Sequence, residues 1–168
     1  MTTEITFAEF MAARWGPLYR TAYLLAGERH EAEDLLQSAL ARTCVRWDAI
    51  RDKGAADAYV RQAMVRQMSR AWRSGRRVVV VDQVPDTGHL GGLDVRADHL
   101  VLWEAVRGLP PRMRATLVLR YVEDLTEEAT AHQLGVSVGT VKSQTHHALR
   151  RLRASLPDLE LVTTQEPS

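Results

Sequence analysis

The sequence predicts an all-α fold: two small helical domains joined by a flexible linker, the second built around a helix-turn-helix. Three observations lead there. Apolar residues recur at three- and four-residue spacing along nearly all of the patterned chain. That periodicity fails near the middle, in a stretch rich in Gly and Asp. Towards the end, Gly135-Val136-Ser137 separates two short amphipathic runs, as a tight corner between helices requires.

The elements follow in order. Phe7, Phe10, Met11 and Trp15 keep helical spacing until Gly16-Pro17, where an interruption is expected. Pro17 suits the first turn of a new helix, because the N–H it lacks has no partner there. Leu18, Ala22 and Leu25 give that helix its apolar face, and Gly27 follows as a C-cap. A helix over residues 30–47 carries Leu35, Leu36, Ala39, Leu40 and Val45. Glu31, Glu33 and Asp34 in its opening turn favour the positive end of the helix dipole. Cys44 lies in this run and reads as a buried or half-buried spectator.

A further helix is predicted over residues 55–73, with Tyr59, Ala63, Met64 and Met68 inward. Beyond Ser74 the pattern stops. Val78 to Val81 has strand propensity but no partner strand, and Pro85, Gly88, Gly91 and Gly92 with Asp82, Asp86 and Asp94 compose a flexible acidic linker. The expected division is therefore a first domain over 5–76, a linker over 77–97, a second domain over 98–156 and a frayed tail over 157–168. In the second domain Asp98 is a candidate N-cap for a helix to Arg107. Leu109-Pro110-Pro111 makes a corner, and Pro111 opens a helix to Tyr121. Two more helices follow, over 126–134 and 137–156.

Composition bounds the function classes. At 168 residues with 45% hydrophobic and 26% charged residues, the chain can bury a core. Its net charge of +1 averages over segments of opposite sign, so local charge is the informative quantity. A single cysteine excludes an intramolecular disulfide and a Cys-only zinc site. The opening residues lack the basic and apolar regions of a signal peptide, and no run of ~18 apolar residues could span a bilayer. A cytoplasmic protein without membrane insertion is expected.

The helix-turn-helix points to DNA. Gly135 stands where the chain must turn with positive φ, and Ser137 can cap the following helix. Val136 and Val141 are expected to pack back on the preceding helix. Ser137, Thr140, Lys142, Ser143 and Gln144 are then left near the start of the second helix, the part that enters a major groove. Lys142 suits a phosphate or a guanine edge, and the hydroxyls and amide suit bases or backbone. Arg150, Arg151 and Arg153 extend a basic face that draws phosphate. An ordinary helical hairpin with a solvated basic end is the plainer alternative.

A second nucleic-acid surface lies in the first half. Arg61, Arg66, Arg70, Arg73, Arg76 and Arg77 occur with no acidic residue from 60 to 81, and Tyr59 and Trp72 are interleaved. Basic charge tracks phosphates while aromatic faces stack on unpaired bases, so this mixture suits opened DNA. A solvated face with Tyr59 in the core is the alternative.

These stretches together resemble a bacterial extracytoplasmic-function sigma factor of the sigma-70 family, in its compact actinobacterial sigma-E-like branch. The residues that carry the likeness are Arg20-Thr-Ala-Tyr-Leu-Leu-Ala-Gly, His30-Glu-Ala-Glu-Asp-Leu-Leu-Gln, Ala58-Tyr-Val-Arg, Leu109-Pro-Pro-Arg-Met-Arg and Gly135-Val-Ser-Val-Gly-Thr-Val-Lys-Ser-Gln. The resemblance implies a subunit that binds core RNA polymerase and directs promoter-specific initiation, without intrinsic catalysis, cofactor or metal. By position it implies that Glu33, Asp34, Leu35, Gln37 and Leu40 bind core polymerase. Tyr59, Arg61, Arg66, Arg70, Trp72 and Arg73 would recognise and melt the −10 element of promoter DNA. Ser137, Thr140, Lys142, Ser143 and Gln144 would read the −35 element. An anti-sigma factor is a further candidate partner. Departures from the family pattern are Arg66, where Asn is common, Thr130 and Gln133 at often apolar positions, and His147 where Arg is frequent.

Two other classes compete. A conventional helix-turn-helix regulator would bind a duplex operator without polymerase, but would usually carry a sensor or dimerisation domain in place of the arginine–aromatic helix. A DNA-processing enzyme would need an activated nucleophile or clustered carboxylates. Adjacent His146 and His147 point about 100° apart on a helix and make no i,i+4 ligand pair.

Overall fold

A computed structural model describes residues 4–75 and 97–156, the first four of the latter stretch as backbone only. Among the described residues every regular element is helical. The expected linker, the strand-prone stretch at Val78, Arg76 and Arg77, and the expected tail lie outside the described residues.

The first helix, α1 (Phe7–Ala26), runs unbroken through Gly16 and Pro17, where the sequence predicts an interruption. An interior proline removes one N–H and crowds a preceding carbonyl, at a cost of about 3 kcal/mol. Phe10 before it and Leu18, Ala22 and Leu25 after it are all buried on one face. Burying each large apolar side chain contributes about 1.5–3 kcal/mol, so a single continuous face outweighs the proline. Thr6 and Glu9 form a reciprocal capping box at the start, with Thr6 N–H donating to the Glu9 carboxylate at 2.8 Å. Gly27 closes the helix at φ 79°, as expected, donating to Tyr23 O.

Helix α2 (Arg29–Val45) starts one residue earlier than predicted, because Glu28 caps it by accepting from His30 and Glu31 N–H. It buries Ala32, Leu35, Leu36, Ala39, Leu40 and Thr43, whereas Val45 and Cys44 are exposed. Both were expected inward; they fall off the stripe of residues 32, 35, 36, 39, 40 and 43 that α2 buries, Val45 about 180° round the helix from Leu36. A short 3-10 turn, Trp47–Ala49, then returns Trp47 to the core against Phe7 and Phe10, with ring centroids 5.3 and 5.1 Å apart. Lys53 holds that corner from above, its ammonium 4.8 Å from the Trp47 ring and bonded to the Ile50 carbonyl.

Helix α3 (Ala56–Arg73) faces inward with Ala56, Val60, Met64, Val65 and Ser69. Of the expected inward residues only Met64 is fully buried; Tyr59, Ala63 and Met68 lie half-buried at the edges of that stripe. Helical spacing had suggested an inward tyrosine, but the buried stripe is rotated by one residue and takes Val60.

The second domain begins with α4 (Ala97–Arg107), which includes Asp98 within the helix instead of leaving it as the cap. Helix α5 (Pro111–Leu117) opens with Pro111 in its first turn, as expected, and widens into a π turn over Val118–Val122, with Glu123 N–H bonded to Val118 O at 3.0 Å. Helices α6 (Glu127–Leu134) and α7 (Val138–Ser155) follow, capped by Thr126 and Ser137. Helices α4, α5 and α6 all pack on α7, whose inner face is Val141, Ala148 and Leu152.

The two helical groups are packed on each other. Helix α1 meets α5 and α3 meets α6, and Ala115, Val118, Leu119 and Leu134 join the apolar core of the first domain. At the centre of this seam the buried Arg114 donates to the carbonyls of Leu25 at 3.1 Å and Ala26 at 2.9 Å, and to those of Arg107 and Leu109 in its own domain. Arg107 adds a bond to Gly27 O at 2.7 Å.

The Phe7–Phe10–Trp47 cluster yields a stability test. Phe10→Ala is expected to destabilise the chain by about 3–5 kcal/mol in urea unfolding followed by tryptophan fluorescence. A loss below ~1 kcal/mol would show that the cluster is peripheral to the core.

Candidate nucleic-acid interface

The residues predicted on α3 divide into two groups. Tyr59, Arg66 and Arg70 lie at nearly the same angle around the helix, because seven and eleven residues are close to whole numbers of turns. They line a cleft of about 350 Å³ against α2, together with Arg42, Val45, Arg46, Gln62 and Ala63. Arg46 donates to the Tyr59 hydroxyl at 3.3 Å, which fixes the ring across the cleft floor. Arg66 and Arg70 are exposed at its rim. Sequence reasoning passed over Arg42, Arg46 and Gln62. The i,i+4 pair Arg42 and Arg46 was visible, but its convergence on α3 was not.

Arg61, Trp72 and Arg73 point elsewhere. Arg61 is about 200° round the helix from Tyr59 and makes an ion pair with Glu123 at 2.7 Å, with Asp57 also within 3.9 Å. Asp57 in turn pairs with Arg14 on α1. Trp72 is half-buried, with the Arg112 guanidinium 5.8 Å above its ring. Arg73 lies against Gly135, 3.0 Å from where a Cβ would stand there. Thus the expected −10 set does not form one surface in this arrangement. Three of its members face the cleft and three face the second domain or its approach.

On α2, Asp34 and Gln37 are exposed and Glu33 is half-buried, held by Arg29 at 3.1 Å. Leu35 and Leu40 are 6% and 5% exposed and belong to the core. Of the set expected to bind core polymerase, these two therefore lie beneath the helix surface, while Asp34 and Gln37 stand on it. The amphipathic period that identified the helix could have separated these roles, since residues 35, 36, 39 and 40 share one stripe.

The helix-turn-helix has the expected local geometry. Gly135 has φ 67° and donates to Ala131 O, and the Ser137 hydroxyl accepts from Thr140 N–H at 3.1 Å. Val141 is fully buried, but Val136 is 36% exposed and packs less than expected. Thr140, Lys142 and Ser143 are exposed at the start of α7, and Gln144 is half-buried. Lys142 stands 3.7 Å from Glu127 on α6, near enough to be steered and exposed enough to be released to a phosphate. Arg150, Arg151 and Arg153 remain exposed further along. Thr130 is fully buried with its hydroxyl unbonded, and Gln133 buries an unbonded Oε1, so both departures carry a desolvation penalty in α6. His147 is exposed beside His146, ring centroids 5.7 Å apart.

Among the described residues no group of three or more His, Cys, Asp or Glu stands together as a metal site, and no helix is long and apolar enough to cross a membrane. Residues 13–78 match the family Sigma-70 region 2, and residues 99–152 match Sigma-70, region 4. The RNA polymerase sigma-E factor of Streptomyces avermitilis is 40% identical over 158 residues, covering 94% of this chain and 88% of that one. The sigma-E factor of Streptomyces coelicolor is likewise 40% identical over 157 residues, covering 93% and 89%. The ECF RNA polymerase sigma factor SigL of Mycobacterium tuberculosis is 30% identical over 148 residues, covering 84% of each chain. Among solved structures, the sigma factor RpoE in complex with the anti-sigma factor NepR from Bartonella quintana shares the fold. Its TM-score is 0.63 at 21% identity, over 90% of this chain and 97% of that one.

The two surfaces are separable by salt. Lys142→Ala should weaken duplex binding and reduce the slope of log affinity against log salt by about 1. Arg66→Ala with Arg70→Ala should leave duplex binding near its original value and lower the slope for a single strand by about 1.4, two contacts at ~0.7 each. Fluorescence anisotropy across a salt series measures both. Equal losses on both probes would merge the two surfaces into one.

Proposed function

The chain belongs to the sigma-70 family, in its extracytoplasmic-function branch, and directs promoter-specific initiation by RNA polymerase; from that premise we propose how the work is divided along it. The first domain, residues 5–76, binds core polymerase through the outward ridge of α2 at Asp34 and Gln37. It holds the opened −10 strand in the arginine-lined cleft between α2 and α3. The second domain, residues 98–156, reads the −35 duplex with Ser137, Thr140, Lys142, Ser143 and Gln144. The stretch 77–97 links the two so that both reach one promoter.

The observation that carries this division is the chemical contrast between the two surfaces. An opened strand presents phosphates and unstacked bases, and the cleft presents four arginines around a tyrosine ring. A duplex presents a major groove wide enough for one helix, and α7 presents a capped, narrow start with hydroxyl, amide and ammonium groups. Phosphodiester chemistry is left to the polymerase. The chain contributes binding energy and strand selection, with no catalytic step of its own, in the cytoplasm where polymerase works. An anti-sigma protein is a further partner, as in the solved relative.

Reconstituted transcription with purified core polymerase on a library of promoter fragments tests the reading. Promoter-selective initiation is expected; duplex binding without initiation would favour an operator-binding regulator. Asp34→Ala with Gln37→Ala should weaken association with core polymerase by about 10-fold while sparing duplex binding by the chain alone. Unchanged affinity for core would remove this face of α2 from the interface.

A further inference from the structure

We propose that the cavity between α3, α5 and α7 binds a small phosphomonoester, a free molecule whose phosphate is taken by Arg73 and Arg112 and whose ester group lies against the Trp72 indole. The site is separate from the arginine-lined cleft between α2 and α3. It does not rest on the promoter reading, which stands or falls independently.

Charge selects the class of ligand. The cavity, of about 180 Å³, brings together Ser69, Trp72 and Arg73 of α3, Arg112 of α5, and Thr140 and Gln144 of α7, and no acidic residue lines it. Among the described residues neither Arg73 nor Arg112 pairs with a carboxylate. Two guanidinium groups bordering one space without an acid favour an anion, and a phosphate meets them with short, charge-assisted bonds.

Unmet hydrogen bonding points the same way. Ser69 Oγ, Trp72 Nε1 and Gln144 Oε1 belong to residues that line the cavity, and all three are buried with no hydrogen-bond partner. The hydroxyl and the indole N–H are donors that phosphate oxygens accept from, and the Gln144 amide offers its oxygen or its NH2 by turning about one bond. Leaving such groups unbonded costs free energy, and a ligand that bonds them removes that cost.

Shape sets the size. A volume of 180 Å³ corresponds to roughly six waters at ~30 Å³ each, room for a phosphate and a small organic group. It falls below the ~300–1,000 Å³ of pockets that enclose larger ligands. The Arg112 guanidinium stands 5.8 Å from the Trp72 ring centroid, so positive charge and an aromatic face border the same space. Gly135 leaves Arg73 its place: a Cβ there would stand 3.0 Å from the guanidinium. Because the lining comes from both helical groups, the ligand binds their packed arrangement and neither group alone. Arg114 and the shared apolar core hold that arrangement, and the ligand adds to its stability by mass action.

The test titrates the full chain with inorganic phosphate and with phenyl phosphate by calorimetry, in chloride buffer at constant ionic strength. Saturable binding at one site is expected, tighter for phenyl phosphate by about 3- to 10-fold, and both probes should raise Tm. Arg73→Ala and Arg112→Ala should each weaken binding by about 10-fold or more. Trp72→Phe keeps a ring and loses the N–H, and should weaken it by about 3- to 10-fold. Arg51→Ala, which removes an exposed arginine remote in sequence from the cavity lining, should stay within about 2-fold of the parent. No saturable binding up to ~10 mM of either probe overturns the proposal. So does loss of binding in Arg66→Ala with Arg70→Ala while Arg112→Ala retains it, because the anion then sits in the cleft between α2 and α3. A thymidine dinucleotide separates a DNA phosphodiester from a free phosphomonoester. It should not displace phenyl phosphate, and displacement at equal strength would make the cavity part of the DNA surface and end the proposal.

Discussion

A single guanidinium ties the two helical groups together. Arg114 is 5% exposed, and burial pushes its pKa down, opposed chiefly by the charge of Glu31. A cation so placed is tolerable only where its N–H groups are used. Its bonds to Leu25 and Ala26 satisfy carbonyls that the end of α1 leaves without helical partners, and those to Arg107 and Leu109 brace the corner between α4 and α5. Lysine has a point charge and no planar fork, so it could not span these four acceptors in one geometry. Gly27 belongs to the same arrangement. A Cβ there would stand 2.9 Å from the guanidinium carbon, and the residue also needs positive φ. Glu31 completes it at a cost to itself, since burial and the neighbouring Glu28 push its carboxyl above the usual range.

The rest of the seam follows from that tie. With α5 held against α1, Glu123 just after the π turn reaches Arg61 in the second turn of α3, and α6 packs on α3. The arginines of α3 are then divided by helical angle. Those near 0° from Tyr59 face the cleft and solvent, while Arg61, on the other side, faces an acid from the second domain. One helix thus carries an arginine-lined cleft on one side and half of an intramolecular interface on the other. At that interface Trp72 Nε1 and Ser69 Oγ are buried without hydrogen bonds, a desolvation cost that the apolar contacts around them offset.

Local signals were legible and long-range ones were not. Gly27, Gly135, Ser137 and Pro111 act within one turn of chain, through φ or a missing or accepting hydrogen-bond group, so each could be read in isolation. Pro17 looked equally local, yet α1 passes through it because the apolar residues on both sides share one buried face. Cys44 and Val45 looked inward from their residue type, but both fall off the stripe that α2 buries and are exposed. Leu35 and Leu40 matched a family surface by position, whereas packing against α1 and α3 makes them its foundation.

The sequence by itself determined the all-helical class, the corner of the helix-turn-helix, the acid-free run of arginines and, through several ordered motifs, the family. Each of these depends on residues near one another along the chain or on their order. Only the tertiary structure decided which arginines share a cleft, which leucines lie beneath a surface, and that Arg61 meets Glu123 across 62 residues of sequence. Such pairings depend on the rotation and contact of whole helices, set by burial and by the few buried charges that must find partners. No local pattern carries that information.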